Sequence, residues 1–168
     1  DPELNEAVRR GRQEEFAGFH WSQPIPEPAA EQTFLASVLD PNRADEPPQR
    51  DLLRLYRDLI RQRRSEPGLR TGAAKVSVET DAASGWLATF YRTADRENVV
   101  ICNCSPESAT ATLNLRPGRW TRVIATDDTR YGGAGSTVPT DLLVNESQSV
   151  LLELARHTAA LYAWESNS

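Results

Sequence analysis

After Gly72 the hydrophobic residues change period, and that change constrains the fold more than any other feature of the sequence. Before it, Leu52, Leu53, Leu55, Tyr56, Leu59 and Ile60 fall at 3.6-residue spacing, which predicts a helix over 48–64. Beyond it, segments 74–80, 86–93, 98–104, 108–115, 119–125 and 148–154 alternate apolar and polar residues between Gly, Pro, Asn, Asp or Ser. Side chains at i and i+2 of a strand share a face. Trp86, Ala88 and Phe90 therefore oppose Leu87, Thr89 and Tyr91, while Val99, Ile101 and Asn103 oppose Val100, Cys102 and Cys104. Short strands without intervening helices predict an antiparallel sandwich or barrel. The predicted fold class is α+β, with N-terminal helices followed by an antiparallel all-β Greek-key sandwich.

Residues 1–20 read as a further helix. Asp1 can cap it, Pro2 suits the first helical position, and Glu3 sits in the first turn. Leu4, Ala7, Val8 and Gly11 form a thin stripe followed by Phe16 and Phe19. Residues 21–49 are irregular and hold six of the eleven prolines, with a short helical turn expected around Thr33 to Leu39. Loops of that length in compact domains are often functional. The helix over 48–64 carries Arg61, Arg63 and Arg64 at its negative end and stops at Ser65-Glu66-Pro67-Gly68. The expected division is helices and Pro-rich loop over 1–68, a sandwich over 69–156, and a tail over 157–168 with little pattern beyond Leu161, Tyr162 and Trp164.

The 168 residues contain no methionine, so residue 1 is not expected to be a native start. A net charge of -5 and a pI of about 5.1 argue against nucleic acid or an anionic membrane as the main partner. No apolar run is long enough to span a bilayer. Cys102 and Cys104 are the two cysteines; at i, i+2 on a strand they share one face and are poorly placed to bridge each other. Cytoplasm is the compartment this implies. The sequons at Asn103 and Asn145 are read as chance, and eighteen Arg against Lys75 alone as codon composition.

The sequence holds no evident catalytic constellation. His20 and His157 show no ligand spacing, so no metal and no cofactor are implied. Cys102, beside Val and Ile, reads as a small buried hydrophobe. Gly132-Gly133-Ala134-Gly135 lacks the Lys and the helix of a phosphate cradle and reads as turn chemistry. Glycoside cleavage needs two facing carboxylates. Glu14-Glu15 diverge on a helix and Asp127-Asp128 lie in a loop, so both read as solvated charge. The Arg-rich stretch from Arg54 to Arg64 reads as the wet face of its helix. Trp86 and Trp120, on strands, read as core. Trp21 and Tyr131, in loops, are more open to stacking on sugar rings.

The run Gly11-Arg12-Gln13-Glu14-Glu15-Phe16-Ala17-Gly18-Phe19, then Trp21, Pro24 to Pro28, and Thr33-Phe34-Leu35-Ala36-Ser37-x-Leu39-Asp40 resembles the malto-oligosyltrehalose trehalohydrolase family. That family belongs to the α-amylase superfamily of glycoside hydrolases. The helix from Leu52 to Arg64 resembles the last barrel helix of the superfamily, and the strands behind it resemble its C-terminal sandwich. Tyr131-Gly132-Gly133 resembles a loop of that domain. The resemblance covers roughly residues 1–154 and departs at Asp40-Pro41-Asn42, where the family tends to place Trp after Leu-Asp.

The resemblance implies a C-terminal piece of an enzyme that hydrolyses the α-1,4 bond next to terminal trehalose. Residues 1–68 would be the end of a (β/α) barrel. The catalytic carboxylates would precede this chain, so no catalytic residue is assigned and the chain itself is expected to be structural. Arg12, Glu15, Phe16 and Trp21 are the candidates for lining or supporting the cleft, with maltooligosyltrehalose or a related α-glucan bound through the barrel. The alternatives are a stand-alone carbohydrate-binding sandwich, an assembly module exposing the stripe of helix 48–64, and a fragment of a related glycogen branching enzyme.

Overall fold

The computed structural model describes residues 1–19, 25–70, 72, 74–145 and 148–165. They divide into two compact units, Asp1–Asn42 and Arg43–Ser168. The first holds α1 (Pro2–Ala17) and α2 (Glu31–Ser37). Asp1 caps α1 as its position predicts, its Oδ1 accepting from the Glu3 amide at 3.0 Å. Neither helix buries a residue within its own unit, and Leu4, Phe19, Phe34, Leu35 and Leu39 are exposed.

The second unit opens with α3 (Gln49–Ser65) and continues into eight strands: β1 (Lys75–Asp81), β2 (Trp86–Arg92), β3 (Glu97–Asn103), β4 (Ala109–Leu115), β5 (Gly118–Ala125), β6 (Asp141–Val144), β7 (Gln148–Leu154) and β8 (Ala159–Glu165). All pairings are antiparallel. One sheet runs β1-β2-β3-β8-β5-β6 and the other pairs β4 with β7. Because β8 returns to lie between β3 and β5, the chain crosses between layers in the manner of a Greek key. The α+β order read from the sequence is the observed one.

The core lies between the two sheets. Trp86, Ala88, Phe90, Val99, Ile101, Trp120, Ala160 and Tyr162 face Ala111, Leu113, Leu115, Leu152 and Leu154. Each large side chain fully buried there contributes about 1.5–3 kcal/mol. The polar tips are satisfied: Trp120 Nε1 donates to the Arg116 carbonyl at 3.1 Å and the Tyr162 hydroxyl to the Pro139 carbonyl at 2.6 Å. Buried Asn103 donates to the carbonyls of Glu107 and Ala155 and accepts from the Ser105 amide, pinning the end of β3.

Two parts of the fold differ from the sequence reading. Residues 157–168, expected as a tail, supply β8, a central strand. Its register places Leu161 against Val100 on one side and Ile124 on the other. Ala160, Leu161 and Tyr162 are all buried, so the strand has no polar face to make it alternate. The β-bulge between Arg122 and Ile124 is the second. Its extra residue inverts the parity of β5 and sends Ile124 to the outer face with Leu161. A second, smaller cluster forms on that outer face from Ile124, Leu161, Tyr131, Leu55, Leu69, Val100 and Val123. Leu55 belongs to α3, so this cluster joins the helix to the sheet and places the unit boundary before α3. No helix among the described residues is long and apolar enough to cross a membrane.

Candidate functional site

Helix α3 is amphipathic in an unusual sense. Leu52, Tyr56 and Ile60, at i, i+4 and i+8, are 54, 58 and 49 % exposed. The side turned toward the sheet carries Leu55 and two carboxylates, Asp51 and Asp58, seven residues and therefore two turns apart. The Arg-rich stretch keeps Arg54, Arg57, Arg61, Arg63 and Arg64 exposed, as the wet-face reading has it. Its one internal carboxylate, Asp58, is mostly buried, and the apolar stripe faces outward instead.

What holds the helix this way is the loop after β5. The short 3-10 turn Thr129–Tyr131 brings the Tyr131 hydroxyl to Asp58 Oδ2 at 2.8 Å, and the Arg130 guanidinium reaches both groups. Arg54 Nη1 donates back to the Arg130 carbonyl at 2.7 Å. The Tyr131 hydrogen bond, helped by Arg130 and Arg61 and opposed by burial, holds the Asp58 carboxyl below the usual carboxylate range. Burial and the same hydrogen bond push the Tyr131 hydroxyl up. Gly132 follows at φ 83°, where a β-carbon would sit 3.3 Å from Asp51 Oδ2. The glycine run is turn chemistry, as expected: Gly133 and Gly135 donate to the carbonyls of Asp128 and Asp127.

A cleft of about 240 Å³ opens between the C-terminal half of α3 and the outer face of the sheet, lined by residues including Leu59, Arg63, Leu69, Tyr91, Val100 and Leu161. No carboxylate lines it, so it offers apolar surface rather than acid–base chemistry.

Of the four predicted cleft residues, Arg12, Glu15 and Phe16 lie on α1 of the first unit. Arg12 and Glu15 form an exposed i, i+3 ion pair on α1 at 3.6 Å, and Phe16 is half-buried one residue on. Trp21 lies outside the described residues. Trp86 and Trp120 are core, as read. Tyr131, read as an open loop aromatic, is buried and committed to Asp58. Asp128 is half-buried and pairs with Arg122 at 3.2 Å, whereas Glu14 and Glu15 are exposed. Cys102 is half-buried rather than buried, and Cys104 is exposed. Among the described residues no group of three or more His, Cys, Asp or Glu could hold a metal ion. The junction of Asp51, Asp58, Arg130 and Tyr131 was not foreseen; its one sequence signal is the i, i+7 pair of carboxylates among the arginines.

The family description "Alpha amylase, C-terminal all-beta domain" matches residues 56–165. The malto-oligosyltrehalose trehalohydrolase of Deinococcus radiodurans is 36% identical over 109 residues, covering 63% of this chain and 18% of that protein. The one from Brevibacterium helvolum is 32% identical over 151 residues, 88% of this chain and 24% of that protein. The chain therefore spans about a quarter or less of the length of these curated relatives. A solved structure described as a putative alpha amylase from Salmonella typhimurium superposes with a TM-score of 0.64 over 96% of this chain and 24% of that chain, at 24% identity. That likeness speaks to the fold alone. With residues 56–165 matched, more than half of its length, the chain belongs to the alpha-amylase C-terminal all-beta domain family.

Proposed function

We propose that these residues form the C-terminal part of a trehalose-releasing glycoside hydrolase, one that cleaves the α-1,4 bond adjoining terminal trehalose in maltooligosyltrehalose. In this reading the chain is structural, and the catalytic carboxylates belong to a barrel domain outside it. The observation that carries the proposal is the outward apolar stripe of α3. Leu52, Tyr56 and Ile60 form a face of the kind that packs on a neighbouring helix or sheet. The junction with Tyr131 fixes that face away from the sandwich. Similarity to two curated trehalohydrolases supports the specific reaction.

Residues 1–68 are then the end of the barrel. Arg12, Glu15, Phe16 and Trp21 would line or support the edge of the cleft that takes the α-glucan, in a cytoplasmic enzyme. The test has two arms. The isolated 168-residue chain is expected to release no trehalose from maltooligosyltrehalose, and its mobility in amylose gels is expected to be unchanged. Turnover by the pure chain would refute the structural reading; retardation in amylose would favour a carbohydrate-binding module. Fused behind a trehalohydrolase barrel, the chain is expected to restore turnover, with Trp21→Ala raising KM more than it lowers kcat.

A further inference from the structure

We propose that Cys102 and Cys104 form a bidentate thiolate site for a soft, thiophilic cation of low coordination number, with Cu⁺ as the ion to test. The two side chains leave the end of β3 on one face with their sulfurs 3.9 Å apart. Both thiols are free, Cys104 exposed and Cys102 half-buried.

The spacing decides between two uses of such a pair. A disulfide requires the sulfurs to close to about 2.05 Å. At i, i+2 in extended chain the two Cα atoms lie about 6.6 Å apart, near the upper limit a disulfide tolerates, and the backbone here is held. The Cys104 amide donates to Gly85 and the Asn103 amide to Thr158, at 2.9 and 2.8 Å. Between the cysteines, the buried Asn103 side chain is tied to Glu107, Ala155 and Ser105. Two metal–sulfur bonds of about 2.3 Å, the zinc–thiolate length, span the observed separation when they meet at about 116°, close to the angle at a trigonal ion whose third donor comes from solvent.

Ligand number narrows the class of ion. Among the described residues no third His, Cys, Asp or Glu completes a set. Hard cations that demand six or more oxygens are a poor match, and soft thiolates favour Cu⁺. Binding is a ligand exchange without redox change: two S–H bonds break, two S–Cu bonds form, and two protons leave for solvent.

The test is an anaerobic titration of the reduced chain against Cu⁺ held by the chromophoric chelator bicinchoninate. The chain is expected to withdraw one equivalent, and the bound ion to protect both thiols from N-ethylmaleimide, read by mass. Cys102→Ser and Cys104→Ser are each expected to lose the withdrawal. The proposal is overturned if the unmodified chain leaves the chelator's colour unchanged. It is equally overturned if copper is taken up without thiol protection, or if the double serine variant still takes it up. The thiol-protection arm uses the unmodified chain and does not depend on how the variants fold.

Discussion

The Tyr131 hydroxyl donates to Asp58 Oδ2 at 2.8 Å, linking residues 73 positions apart. The Arg130 guanidinium stacks over the Tyr131 ring at 4.4 Å and also reaches Asp58, so one carboxylate takes a phenol and a cation. This contact orients α3. Tyr131→Phe removes the donor and leaves Asp58 its cation, so a loss of about 1–2 kcal/mol is expected by urea denaturation. Asp58→Asn is expected to cost about 1–3 kcal/mol, and the double variant less than the sum, because both break one bond.

The same contact sets an acid limit. The Asp58 carboxyl is held low, chiefly by Tyr131, so its stabilisation is complete above the unfolded value near pH 4. It is lost as pH falls through the depressed folded value. The chain is therefore expected to lose stability on acidification more steeply than Asp58→Asn. Parallel pH profiles for the two proteins would remove Asp58 as the cause.

At the alkaline end the controlling group is Tyr162. Burial between the sheets pushes its hydroxyl up to about 12. The folded protein thus keeps a proton that the unfolded chain, with tyrosine near 10, gives up. The resulting stability is full below about pH 10 and is lost as pH rises toward the folded value. Absorbance at the tyrosinate band should show Tyr131 and Tyr162 both titrating later than free tyrosine, with the Tyr162 step coincident with unfolding. Tyr162→Phe is expected to move the alkaline unfolding midpoint upward; an unmoved midpoint would assign it to another group.

Gly118 opens β5 at φ 136°, where a β-carbon would lie 2.2 Å from Trp164 Nε1 and 2.7 Å from the Glu165 carbonyl. Backbone and indole would both have to shift, in a register fixed by Trp120 opposite Trp164. Gly118→Ala is expected to cost about 3 kcal/mol or more, because strain and overpacking add. Gly11→Ala, in open space on α1, serves as the control and is expected to be neutral or slightly stabilising.

The legible parts of this fold were those whose side chains alternate. β2 and β4 bury every second residue, so their faces could be read directly. β8 could not be read, because both of its faces are covered and its Ala160-Leu161-Tyr162 run carries no period. β6, at four residues on the sheet edge, is too short to show one. The bulge at Arg122/Ile124 inverts a face midway along β5, which no alternation rule anticipates. The junction was harder still. Asp58 among arginines looks like surface charge until Tyr131, far along the chain, is brought against it. Long-range polar pairs leave no periodic trace.

The outward stripe of α3 gives the last prediction. Leu52, Tyr56 and Ile60 are well exposed, so replacing them should leave the stability of the isolated chain nearly untouched. We expect Leu52→Ser and Ile60→Glu together to change its unfolding free energy by no more than about 0.5 kcal/mol each. In the same preparation, sedimentation should show reduced self-association, since an exposed apolar stripe invites contact. Placed behind a trehalohydrolase barrel, the same two substitutions should destabilise the joined protein by about 1.5–3 kcal/mol per side chain, as a buried apolar group is lost at each position. The contrast is the test: a stripe that belongs to solvent tolerates polarity in both settings, whereas one made to pack on a barrel tolerates it only alone.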